Sequence, residues 1–106
     1  MSDCIFCKIV AGEIPSEFLH EDEDCVIFRD INPKATTHLL IVSKKHIESV
    51  MAMESGDEKI VGRMIACGRK IAEKIGLSGY SFQINVGKDG GQEIFHLHVH
   101  LMSKFF

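Results

Sequence analysis

Apolar residues along this chain repeat at two different periods, and the longer period is the easier to read. Between Asp57 and Gly76, Ile60, Met64, Cys67, Ile71 and Ile75 recur every three or four residues, with Glu58, Arg63, Lys70 and Lys74 on the other side. That spacing predicts one long amphipathic helix, and Gly76 stands where a helix C-cap would. Gly62 and Gly68 interrupt it, each weakening the helix by ~1 kcal/mol relative to alanine; close approach to a sheet is the reason expected for them. A second, short helix is predicted in "CIFCKIVAGEIP", where Ile5, Phe6, Ile9 and Val10 share helical spacing, Gly12 offers a stop and Pro15 a break.

The other segments read as strands. "SEFLHEDED" starts like one and ends in a run of acids expected at a solvated turn. "DCVIFRDI" and "THLLIVS" are β-branched, apolar runs separated by the turn signal "NPKAT". "GYSFQINVG" alternates, "KDGGQE" is a loop, and "IFHLHVHLM" is the last strand. With connections too short for repeated parallel crossovers, the order predicts an α+β fold. It has an antiparallel sheet of about five strands, one long helix and a short N-terminal helix.

Composition narrows the class. At 106 residues the chain has room for one domain, 1–106. A net charge of −3 advertises no surface for a nucleic-acid duplex. No apolar run approaches the ~18 residues that span a bilayer, so no membrane segment is expected. The N-terminus has an acid and lacks a basic flank before a long apolar stretch, so no signal peptide is expected either. Cys25 and Cys67 sit in apolar patterns where buried free thiols are ordinary. The expected setting is therefore cytoplasmic, extending to the nucleus in a eukaryote, with reduced cysteines. Cys4 and Cys7, in "CIFC", have the spacing of half a structural zinc site, but spacing does not name the other two ligands.

The chemistry concentrates in "FHLHVHLM". In a strand, alternate side chains share a face, so His96, His98 and His100 stand together, ~6.5 Å apart, with Leu97, Val99 and Leu101 on the opposite face. A plain polar surface would more often use Thr, Lys or Glu. A His-x-His pair can hold a metal ion, though three imidazoles on one flat strand cannot all reach the same one. Catalysis is the third reading, because histidine titrates near neutrality and an imidazole nitrogen can attack phosphorus. "VGKDGGQE" favours that reading, since a glycine-rich turn can aim backbone N–H groups at a phosphate.

The motif "HLHVHLM", with "CIFCKIVAGEIPS", "FRDINPKATTHLLIVSKKHI", "INVG" and "GGQEIFHLHVH" in order, resembles the histidine-triad (HIT) family, in particular its Hint branch of nucleotide-binding phosphoramidases. The resemblance covers nearly the whole chain. It implies a hydrolase acting on purine nucleoside monophosphate derivatives such as 5′-phosphoramidates, with a nucleotidyl-histidine intermediate and no cofactor required for catalysis. His98 would be the nucleophile. His100 would hold a phosphate oxygen or pass a proton to the leaving group, and His38 would support the relay. His96 completes the catalytic triad. Asp30 would bind the ribose, with the bland alternative that it merely starts the "INPK" turn. Phe6, Ile14, Phe28, Ile31 and Leu40 would line the base slot, or serve as plain core. Asn85 and the backbone of the loop carrying Gly91, Gln92, Glu93 and Ile94 would contact phosphate.

The same resemblance implies a structural zinc ion held by Cys4, Cys7, His46 and His96, and a homodimer with a sheet continuous across subunits. Glu93 stands where animal members often have a serine near the scissile bond, whereas bacterial members often have glutamate. Two other functions compete: a nucleotide-sensing or scaffold module with vestigial hydrolysis, and a hydrolase whose triad holds the catalytic metal.

Overall fold

A computed structural model describes residues 3–106. The elements run α1 (Ile5–Val10), β1 (His20–Glu21), β2 (Cys25–Arg29), β3 (Ala35–Ser43), α2 (Asp57–Lys74), β4 (Ser81–Gln83) and β5 (His98–Phe105). Every pairing is antiparallel, and the strands lie in the order β1-β2-β3-β5-β4. The chain is thus α+β, with a five-stranded antiparallel sheet, one long helix and one short one.

Both faces of the central strands are buried, which is why "CVIF" and "LLIV" read as continuous apolar runs. Ile27, Leu39, Ile41, Val99 and Leu101 point to one face, where Met64, Ile71 and Ala72 of α2 cover them. Val26, Phe28, Leu40 and Val42 point to the other, against Phe6 and Ile9 of α1. The register sets Val42 opposite His98 and Leu40 opposite His100, so both imidazoles emerge on the α1 face.

Gly68 explains how α2 reaches the sheet: a Cβ there would stand 2.7 Å from both Ile41 Cδ1 and Phe82 Cε1. Gly62 has open space and plays no such part. At the far end Gly76 adopts φ +81°, and Leu77 N–H donates to Ala72 O at 2.9 Å, closing the helix as expected.

Two strands are shorter than the alternation predicts. β4 stops at Gln83, and β5 begins at His98 rather than Ile94. The backbone of Leu97 is engaged elsewhere: its N–H donates to Ile47 O at 2.7 Å, and its carbonyl accepts from Ser43 N at 3.3 Å. The backbone amides there are satisfied by a loop instead of a strand ladder.

Candidate functional site

The interior face beside α1 carries two linked groups of side chains. In the first, Cys4 and Cys7 from the start of α1 meet His46 and His96. Cys4 Sγ lies 3.2 Å from His96 Nδ1, Cys7 Sγ lies 3.2 Å from His46 Nδ1, and the two Nδ1 atoms are 3.1 Å apart. All four ligand atoms fall within 4.8 Å of one another, so this group could hold a metal ion. Tetrahedral zinc with ordinary Zn–S and Zn–N bonds has ligand-to-ligand edges of roughly 3.3–3.8 Å, and the separations here are close to that. His96 is 0% exposed, and its Nε2 donates to Ser43 O at 2.6 Å. Its Nδ1 lone pair is thereby turned to the sulfurs, the usual outer-sphere arrangement of a ligating histidine. Burial, and then the Cys4 thiol beside it, push the Cys7 thiol up from its ordinary value.

The second group is built on β3 and β5. His98 Nδ1 donates to the His96 carbonyl at 2.6 Å, which leaves Nε2 as the bare nitrogen. On β3, His38 Nδ1 accepts the Lys34 N–H at 3.0 Å, so its hydrogen lies on Nε2. That nitrogen lies 2.9 Å from His100 Nδ1 and 3.3 Å from Asp30 Oδ2. His100 accepts at Nδ1 and carries its own hydrogen on Nε2. The tautomers of His38 and His98 are assigned from their backbone partners, and that of His100 follows from His38. Burial holds His98 below the ordinary imidazole value, despite its bond to the His96 carbonyl. His100 is pushed down to about 4 by burial, with His98 and His38 adding to it. Burial also lowers His38, with the Asp30 carboxylate working against it. The three rings are therefore neutral near pH 7.

His38, His98 and His100 open on a cavity of about 500 Å³, the size of a small-ligand site. Phe6, Ile9, Ile14, Phe28 and Leu40 form its apolar end, while Asp30, Asn85, Gly91, Glu93 and Ile94 also line it. Phe6 stands edge-on to both Phe28 and His98, with centroid separations of 5.9 and 5.0 Å. Ile31 is on the rim and 90% exposed. Asp30 combines both readings of it: Oδ1 accepts the Asn32 N–H at 2.8 Å in a turn, while the carboxylate lines the cavity.

Two expectations about the glycine loop need correcting. Gln92 is buried and does not line the cavity; its Oε1 accepts Gly87 N–H at 2.8 Å, and its Nε2 donates to Glu48 O and Ile94 O. The amides of Gly87, Gly90 and Gly91 do not form an anion nest, because they donate to Gln92 Oε1, Gly87 O and Lys88 O. Gly87 and Gly91 serve the turn, at φ +74° and +87°.

Other participants left no local signal in the sequence. Lys34 acts through its backbone N–H and Ser43 through its carbonyl, neither of which depends on residue type. Ile9 of α1, together with Gln83, Met102 and Phe105, which strand register brings there, also lines the cavity.

Comparison with known proteins places these residues among relatives of similar length. A family model described as "Scavenger mRNA decapping enzyme C-term binding" matches residues 3–106. Protein HitA of Neisseria gonorrhoeae is 46% identical over 103 residues, covering 96% of each chain. The purine nucleoside phosphoramidase of Escherichia coli (strain K12) is 41% identical over 102 residues, covering 94% of this chain and 86% of that protein. A crystal structure of a HIT family hydrolase from Legionella pneumophila Philadelphia 1 superposes with a TM-score of 0.91 at 43% identity, covering 95% of this chain and 92% of that one.

Proposed function

The chain belongs to the histidine-triad (HIT) family, and from that premise we propose that it is a hydrolase cleaving purine nucleoside 5′-phosphoramidates through a nucleotidyl group carried on His98. The observation that carries this reading is the 2.6 Å bond from His98 Nδ1 to the His96 carbonyl. It leaves Nε2 unprotonated in a neutral ring, the form in which an imidazole is a nucleophile.

In this reading His98 Nε2 attacks the α-phosphorus and the P–N bond of the substrate breaks. The Nε2–H of His100 holds a phosphate oxygen or passes a proton to the departing nitrogen. Water then attacks phosphorus, its proton replaces the one given up, and the monophosphate leaves a free His98. Asp30 accepts hydrogen bonds from the ribose hydroxyls, and the base lies between Phe6, Ile14, Phe28 and Leu40, with Ile31 at the rim. Asn85 and the backbone of Glu93 and Ile94 face the phosphate. The relative named a purine nucleoside phosphoramidase supports this substrate class.

Cys4, Cys7, His46 and His96 would hold zinc, whose part is to tie α1 to the segment entering β5. No catalytic step passes through it. A cytoplasmic homodimer completes the proposal, its sheet extended across the partner; edge strand β4 has one side unpaired among the described residues. Turnover of adenosine 5′-phosphoramidate by wild type and His98→Asn, with and without chelator, is the test. Turnover that survives chelator and is lost in His98→Asn supports the reading. Binding of AMP without turnover overturns it in favour of a sensing module, and loss with chelator in a still-folded protein points to metal-dependent hydrolysis.

A further inference from the structure

On the opposite face of the sheet, under α2, lies a cluster that the triad chemistry does not use. We propose that His20, Asp22, Cys25 and Cys67 form a second metal site, taking a borderline divalent ion such as Zn²⁺ or Co²⁺.

Four separate pieces of the fold supply these donors: β1, the turn after it, β2 and α2. One ligand atom from each residue falls within 4.8 Å of all the others. Asp22 is the hub. Its Oδ2 lies 2.8 Å from His20 Nε2 and 3.1 Å from Cys67 Sγ. Its Oδ1 accepts the N–H groups of Asp24 and Cys25 at 2.8 and 3.0 Å, which fixes the carboxylate so that Oδ2 faces the cluster. Two sulfurs, one imidazole and one carboxylate make a donor set that suits zinc and its neighbours and disfavours magnesium or calcium.

The face is settled by register. His20 pairs directly with Ile27, and Cys25 lies two residues before Ile27, so all three point towards α2. The site is therefore separated by the sheet from Cys4, Cys7, His46 and His96. Cys25 is 0% exposed, whereas His20 and Asp22 are about one-third exposed and form the entrance.

Two other uses of the thiols fit less well. Burial, followed by the nearby Asp22 carboxylate, pushes the Cys67 thiol up, the reverse of what a reactive cysteine needs. A Cys25–Cys67 disulfide would leave His20 and Asp22 with no part in it. Metal uptake uses all four groups: the ion displaces the thiol protons of Cys25 and Cys67, His20 binds through Nε2 with its hydrogen on Nδ1, and the cluster opens by about 0.5 Å to reach tetrahedral edges.

Cobalt titration of metal-stripped, reduced protein tests this through thiolate-to-cobalt absorption and the number of ions bound. Wild type is expected to bind two ions per chain, and Cys67→Ser and His20→Gln one each. Cys4→Ser/Cys7→Ser is expected to retain one ion with thiolate absorption. Should Cys67→Ser fail to fold by circular dichroism, His20→Gln, at a partly exposed edge-strand position, decides the matter. A single wild-type ion that is lost in Cys4→Ser/Cys7→Ser, an unchanged ion count in folded Cys67→Ser or His20→Gln, or a Cys25–Cys67 disulfide forming in place of metal uptake overturns the proposal.

Discussion

His38 Nε2 stands 2.9 Å from His100 Nδ1, and the hydrogen between them belongs to His38. The Lys34 amide occupies the other nitrogen of His38, so a backbone group outside the triad dictates which nitrogen of His100 faces the cavity with a hydrogen. Replacing His38 with alanine frees that tautomer. The expected result is a fall in kcat on a phosphoramidate of ~10²-fold, the usual worth of one positioned acid–base group. A conservative His38→Gln, which keeps a donor, should recover part of it.

His98→Asn is expected to be far more severe. Asparagine keeps an N–H near the His96 carbonyl but has no nucleophilic lone pair. A loss of at least ~10³-fold in kcat is expected, while nucleoside monophosphate binding, measured by calorimetry, persists.

The buried imidazoles make stability depend on pH. His100 in the unfolded chain takes up a proton near 6.5, but in the folded protein only near 4, and His38 is shifted the same way. Between those values unfolding binds protons, so stability falls as the pH drops from 6.5 towards 4 and levels off on either side. Urea midpoints measured across this range check it; a flat profile would show that these rings are hydrated.

Removing the zinc proposed for the Cys4, Cys7, His46 and His96 group should lower Tm, by roughly 4–8 °C for each kcal/mol lost in a domain of this size. Cys4→Ser should produce the same shift, and chelator should then add little at that site. Additive losses from the two treatments would separate the thiol from the ion.

Two glycines of one helix should respond oppositely to alanine. Gly62→Ala, in open space, should gain up to ~1 kcal/mol from helix propensity. Gly68→Ala meets the buried Ile41 and the ring of Phe82 at 2.7 Å, and overpacking should leave a net loss of about 1–2 kcal/mol. Chemical denaturation of both variants reads the contrast directly.

The local patterns were legible in the chain. Helical spacing marked α2, two-sided burial explained the apolar runs of β2 and β3, and alternation put His98 and His100 on one face. What escaped were features decided by distant partners. β5 begins at His98 because the backbone of Leu97 bonds to Ile47 and Ser43, a contact no local window contains. Gln92, polar and preceded by two glycines, reads as a ligand-contacting loop residue, yet it is buried as the brace of its own turn. Cys25 and Cys67 each read as an ordinary core thiol; only folding brings them to His20 and Asp22.

The alternation along β5 carries a last consequence. Val99 and Leu101 lie beneath α2 while His98 and His100 face the cavity. A slip of one residue against β3 would exchange the two sets, burying imidazoles in the apolar core and turning aliphatic groups towards the ligand. Such a chain would lose its core and its chemistry together, so a stably folded but miswired version of the site has nowhere to persist. The strand proofreads its own candidate site as it pairs.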